Sequence, residues 1–129
     1  MLLHGLGMDG MLWRNVDLGP RRVVIPTLPL GSHRLPMRQD ADLTLYGHAR
    51  IVADFMDKLG LTAATVVQND IGIAIPLATM RPDLVARLVL VSCEAFDNYP
   101  PGFPGKALTA AARISGALNL SFQTLRVNR

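Results

Sequence analysis

Apolar positions along the chain switch between two periods, and the switches mark out its elements. Met1–Leu3 is a short apolar stub that runs into His4-Gly5-Leu6-Gly7, where glycine permits a sharp turn. Arg22–Ile25 is a second short β-branched run, closed by Pro26. From Thr27 to Asp42 the residues are mainly proline, glycine, serine and arginine, and the segment reads as a surface loop. Leu45, Ala49, Val52, Phe55 or Met56, and Leu59 then recur every three or four residues, with Arg50, Asp54, Asp57 and Lys58 on the other face. That spacing predicts an amphipathic helix with Asp42 as its N-cap and Gly60 as the left-handed residue past its end. Thr65–Val67 predicts a buried strand, Gly72–Arg81 a helix stopped by Pro82, and Leu88–Val91 a last strand. Glu94–Gly105 is a proline-rich loop, and Lys106–Leu118 predicts a final helix. Four short strands alternating with helices is the pattern of a parallel α/β sheet flanked by helices.

Composition removes several function classes. The 129-residue chain is 50% hydrophobic, enough apolar material for one core. Its net charge of +3 is spread without a run, which gives no footprint for nucleic acid. One cysteine excludes an internal disulfide and agrees with a reducing, cytoplasmic setting. The N-terminus has no charged leader, and the apolar stretch Ile71–Met80 is far short of the ~20 residues that cross a bilayer, so no membrane partner is expected. His4, His33, His48 and Cys93 have no metal-ligand spacing, so no metal is expected. Gly5-Leu6-Gly7-Met8-Asp9-Gly10 spells a dinucleotide fingerprint by letter. Trp13 and Pro20 follow where a long helix is required, so no cofactor is expected.

The chemistry concentrates at Gln68-Asn69-Asp70-Ile71-Gly72, where a strand turns sharply into a helix. A side chain at such an apex projects from the carboxyl edge of the sheet. Asp70 there fits two readings: a cap for the following helix, or a carboxylate nucleophile. The nucleophile reading gains from the His4-Gly5 turn, because such chemistry needs oxyanion donors from a separate loop. Gly72 satisfies the tight packing next to the apex; Gln68 is larger than that position prefers.

The order strand, His4-Gly5, strand, helix, strand, Asn69-Asp70-Ile71-Gly72, helix, strand, Cys93-Glu94-Ala95-Phe96 resembles the central part of the α/β-hydrolase superfamily. Asn69-Asp70 at the elbow is similar to the branch of haloalkane dehalogenases and epoxide hydrolases. Phe55–Leu61 and Arg81–Leu90 add to the likeness, which covers about residues 1–105 and leaves 106–129 as the start of a cap region or a non-native tail. The resemblance implies Asp70 as nucleophile and the backbone N–H groups of Leu6 and Ile71 as oxyanion hole. His4, Gly5, Asn69 and Gly72 would form the supporting turns, and Glu94 would orient a catalytic histidine. It implies a small-molecule substrate with a carbon–halogen, epoxide or related bond.

Departures accompany the likeness. Ile71 replaces the tryptophan of dehalogenases, Ile73 replaces a second glycine, and Pro76 is expected in the second helical turn at a cost of ~3 kcal/mol. The superfamily also has further strands on both sides and its histidine after the last of them. The chain is therefore expected to be truncated at both ends, to lack full turnover, and to self-associate through open sheet edges. The alternative is a non-catalytic α/β module, an inactive pseudoenzyme that binds a ligand or partner.

Overall fold

The computed structural model describes residues 1–30, 32–94 and 106. Tertiary contacts divide the chain into two units, Met1–Cys93 and Glu94–Arg129. The expected loop over 95–105, the final helix over 106–118 and the cap-or-tail segment lie outside the described residues, Lys106 excepted.

The first unit is built on a three-stranded sheet, ordered β1 (Leu2–Leu3), β2 (Ala64–Ile71), β3 (Val85–Glu94). β1 runs parallel to β2, with Leu2 beside Val67 and Leu3 beside Gln68. On the far side of β2, Ala63 N–H donates to Asp83 O at 3.0 Å and Ala64 N–H to Leu84 O at 2.8 Å. The expected four strands are thus three. Arg22–Ile25 lies beside β1, where Val24 O accepts from Leu2 N–H at 2.9 Å. That is its one backbone bond to β1 among the described residues, and the following Pro26 has no N–H with which to extend the ladder. Conversely β2 and β3 are longer than their β-branched centres suggest.

Helix α1 (Leu45–Lys58) has Thr44, not Asp42, as its N-cap. Thr44 Oγ1 accepts from Gly47 N–H at 3.0 Å, while Asp42 Oδ1 accepts from Thr44 N–H at 3.0 Å and from its hydroxyl at 2.7 Å. Asp42 therefore holds the cap rather than being it, and it folds so close over the first turn that only glycine fits at position 47. The other end closes as expected. Gly60, at φ 62°, donates to Asp57 O at 3.0 Å, and Leu61 N–H reaches back to Met56 O at 2.9 Å, a Schellman ending. Ala49, Val52, Ala53 and Met56 are buried, whereas Leu45 and Leu59 at the helix ends are 40% and 39% exposed.

Helix α2 (Ala74–Met80) begins two residues later than the expected Gly72. Its N-cap is Ile73, so Pro76 is the third helical residue. The first three amides of a helix have no intrahelical acceptor, and the expected penalty for Pro76 does not arise. Both helices share one core with a face of the sheet, through Leu3, Val66, Val52, Met56, Leu77 and Leu84. Leu28 and Leu30 join it at 3% and 6% exposure, so the first part of the expected surface loop is a core segment. Burying each such side chain contributes ~1.5–3 kcal/mol. No helix among the described residues is long and apolar enough to cross a membrane.

Arg81 ties the end of α1 to the turn before β3. Its guanidinium donates to both Asp57 oxygens at 2.7 and 2.9 Å and to both Asp83 oxygens at 2.7 and 2.9 Å. Those bonds hold both carboxyls below the usual carboxylate range. A folded-state pKa below the unfolded one stabilises fully above the unfolded value of about 4 and is lost as pH falls through the folded value. Arg81→Gln is therefore expected to be less stable than the wild type at neutral pH. In urea titrations the gap should narrow below about pH 4.

Candidate functional site

Counting the segment Arg22–Ile25, the strand order at the β1 side reads second, first, third, fourth in chain order. The chain leaves β1 toward one side of the sheet and returns to β2 on the other. At such a reversal a crevice opens at the carboxyl ends of the two strands. The turn after β1 and the last residues of β2 meet at that position, where Leu6 N–H reaches Asp70.

Asp70 is the penultimate residue of β2, with φ at 68°. A non-glycine residue in this left-handed region carries ~1–2 kcal/mol of strain, and such strain collects at functional sites. The next strand repeats the feature: Ser92 on β3 has φ 50°. The Asp70 side chain does not cap α2, whose N-cap Ile73 receives no side-chain bond. Instead Asp70 Oδ2 accepts from Leu6 N–H at 2.9 Å, joining residues 64 apart in the chain. No described donor reaches Oδ1, and no described ion pair includes Asp70. Gly5 makes the approach possible, because a Cβ there would overlap the Asp70 side chain, with Cγ only 2.8 Å away.

His4 is fully buried and fixes the turn from below. Leu28 N–H donates to His4 Nε2 at 2.8 Å, so the ring proton lies on Nδ1, which faces Gly5 O at 2.9 Å. Both ring nitrogens are thereby committed to backbone. The 27–32 segment also buttresses the turn, with Gly7 N–H donating to Leu30 O at 2.7 Å and Ser32 Oγ to Gly7 O at 2.6 Å.

Gln68, the residue too large for the elbow pattern, is fully buried and spans the two strands. Its Nε2 donates to His4 O at 3.2 Å and to Asn69 O at 2.9 Å, leaving Oε1 buried without a partner. Asn69 Nδ2 donates to Val91 O at 3.2 Å, and Cys93 Sγ to Gln68 O at 3.2 Å, so β3 is pinned to the same level. Burial raises the Cys93 thiol pKa, and the nearby Asp70 carboxylate raises it further. The thiol is thus held protonated beside the site.

The other sequence-predicted residues are placed as follows. Ile71 ends β2 and its carbonyl accepts from Ile73 N–H at 2.9 Å; Gly72 is buried in the link to α2. Glu94 is the last residue of β3, and its side chain lies outside the described residues. His48 is buried on α1, its ring nitrogens facing Thr44 O at 3.0 Å and Pro29 O at 3.4 Å. Gly5–Gly10 leads into a single 3₁₀ turn, Gly10–Trp13, rather than a phosphate-binding helix. No three His, Cys, Asp or Glu side chains gather as a metal site among the described residues. Cys93 and the Leu28 amide are contributors that sequence reasoning missed. For Leu28 the apolar alternation with Leu30 across Pro29 was the available signal; for Cys93 there was none.

No family model matches the chain. It is similar to an uncharacterized protein of Mycobacterium tuberculosis, 32% identical over 96 residues, which covers 71% of this chain and 28% of that protein. An identical match is found in Mycobacterium bovis. The dihydrolipoyllysine-residue acetyltransferase component of an acetoin cleaving system from Cupriavidus necator is 33% identical over 111 residues, covering 80% of this chain and 30% of that protein. The chain thus spans less than a third of the length of the curated relatives it matches.

Proposed function

We propose that this chain carries the nucleophile half of an α/β-hydrolase-type site, in which the Asp70 carboxylate attacks a small alkyl electrophile. The observation that supports it is the Asp70 Oδ2–Leu6 N–H bond, made by an aspartate in a strained left-handed conformation. A carboxylate is ionised at neutral pH without help from a base, unlike serine. With Oδ2 held by an amide, Oδ1 is the oxygen that attacks. A new carbon–oxygen bond forms as the carbon–halogen bond breaks, and halide leaves with the electron pair. With an epoxide, the ring oxygen stays on the product and takes a proton from water.

The ester so formed keeps Oδ2 as its carbonyl oxygen, already facing the Leu6 amide. When water attacks that carbonyl the negative charge develops on Oδ2, and the amide is aimed at it beforehand. Activating the water requires a general base, worth ~10²–10⁴ in rate. His4 and His48 are turned to backbone groups, so neither supplies it. The reaction proposed for this chain is a single turnover ending in the ester, in a reducing cytoplasmic setting.

Incubation with an alkyl bromide or a terminal epoxide, followed by intact-mass and peptide analysis, is expected to give one adduct on Asp70. Asp70→Asn, which keeps an oxygen for Leu6 and tolerates the left-handed backbone, is expected to give none. A second reading makes Asp70 only a clasp between the β1 turn and β2 in a non-catalytic module. A folded wild-type chain that takes no label at Asp70 would favour that reading.

A further inference from the structure

A concavity lies across the sheet beside β1 and the first half of β2, and Asp70 is not among its residues. It encloses about 490 Å³ and is bordered by Arg21, Arg22, Thr62, Thr65 and Arg87. Its floor is apolar, with Leu2 and Val67 from the two strands among its residues. The volume falls in the range of small-molecule sites.

The charge there is one-sided. Among the described residues, no aspartate or glutamate lines the groove. Every described ion pair is elsewhere and uses Arg38, Arg50 or Arg81. Arg21 is turned partly to backbone, its Nη1 donating to Leu18 O at 2.6 Å. Arg22 and Arg87 have no carboxylate partner among the described residues. Two uncompensated guanidiniums facing one concavity raise the local concentration of anions, and their planar forks match phosphate oxygens better than a lysine would. The threonine hydroxyls add neutral donors at the rim, and the apolar floor favours a ligand with a hydrocarbon body.

We infer that this groove binds an organic phosphate monoester with a short apolar tail, its phosphate between Arg22 and Arg87 and its tail on Leu2 and Val67. The ligand does not take part in the Asp70 chemistry, since neither Asp70 nor Leu6 lines the groove. The same headgroup chemistry exists in a free alkyl phosphate and in a lipid, and the vesicle arm of the test below separates the two.

Titration of the full chain with hexyl phosphate, followed by calorimetry or by shifts of backbone NMR signals, is expected to saturate. Shifts should centre on Thr65, Val67 and Arg87. Inorganic phosphate and hexanol are each expected to bind on the order of tenfold more weakly, because each lacks half of the ligand. Arg22→Gln with Arg87→Gln is expected to weaken hexyl phosphate on the order of tenfold or more while leaving the urea midpoint unchanged, both side chains being exposed. Arg22→Lys with Arg87→Lys should retain part of the affinity. Equal binding of hexanol, unchanged affinity in the glutamine variant, or binding only to phosphatidic-acid vesicles and not to hexyl phosphate would each overturn the inference.

Discussion

Gly5→Ala is expected to lose alkyl labelling of Asp70 by at least ~10²-fold, although the substitution adds only one methyl group. The added carbon would fall inside the Asp70 side chain, with Cγ at 2.8 Å. Neither partner can yield cheaply. The Asp70 Cβ is fixed by a backbone already at φ 68°, and Gly5 is buried between His4 and the Leu6 amide. The overlap is relieved only by moving the turn after β1 away, and Leu6 N–H then leaves Oδ2. Overpacking of this kind costs ~1–3 kcal/mol, which urea unfolding will register beside the lost label.

A double-mutant cycle separates this mechanism from general damage. Asp70→Gly removes the clashing side chain and frees the left-handed backbone of its strain. In that background Gly5→Ala should cost almost nothing. A coupling of at least ~1 kcal/mol between the two positions is expected; additive losses would mean that Gly5 is needed for some reason other than the approach of Asp70.

What was legible in the sequence differs by element, and the differences have physical causes. The ending of α1 at Gly60 could be read directly, because a Schellman ending is local and needs a residue that accepts positive φ. The start of the same helix was displaced to Asp42, since Asp and Thr are both good caps and only the fold-back of the loop decides between them. The Pro76 penalty depended on where α2 begins; once β2 runs on to Ile71 the proline falls in the free first turn. Leu28 and Leu30 were hidden by their prolines and arginines, which mark a loop without saying which of its side chains face inward. The bond between Leu6 and Asp70 has no local signature at either residue; the pointer to the β1 turn was the need of a carboxylate nucleophile for backbone donors from a separate loop. Gln68 was readable as a misfit; that it bridges β1 and β2 follows from three-dimensional pairing alone.

His4→Ala is expected to have the largest effect on stability, because the ring fills space and satisfies backbone at once. The side chain is fully buried, and its removal leaves a cavity for which comparable truncations cost ~2–5 kcal/mol. It also leaves the buried Leu28 N–H without an acceptor, an additional ~1–3 kcal/mol. The sum rivals the whole stability of an ordinary domain, ~5–15 kcal/mol, so the variant should be largely unfolded under conditions where the wild type is folded. Circular dichroism and hydrogen exchange at Leu28 check this directly. His4→Gln gives the control: its Oε1 can stand near the original Nε2 and accept from Leu28, so a substantial part of the lost stability should return. If glutamine does no better than alanine, the histidine acts through its volume, and the hydrogen bond that fixes its tautomer contributes little. If glutamine restores folding and also the labelling of Asp70, then His4 serves as a strut for the β1 turn, and its ring takes no part in the chemistry above it.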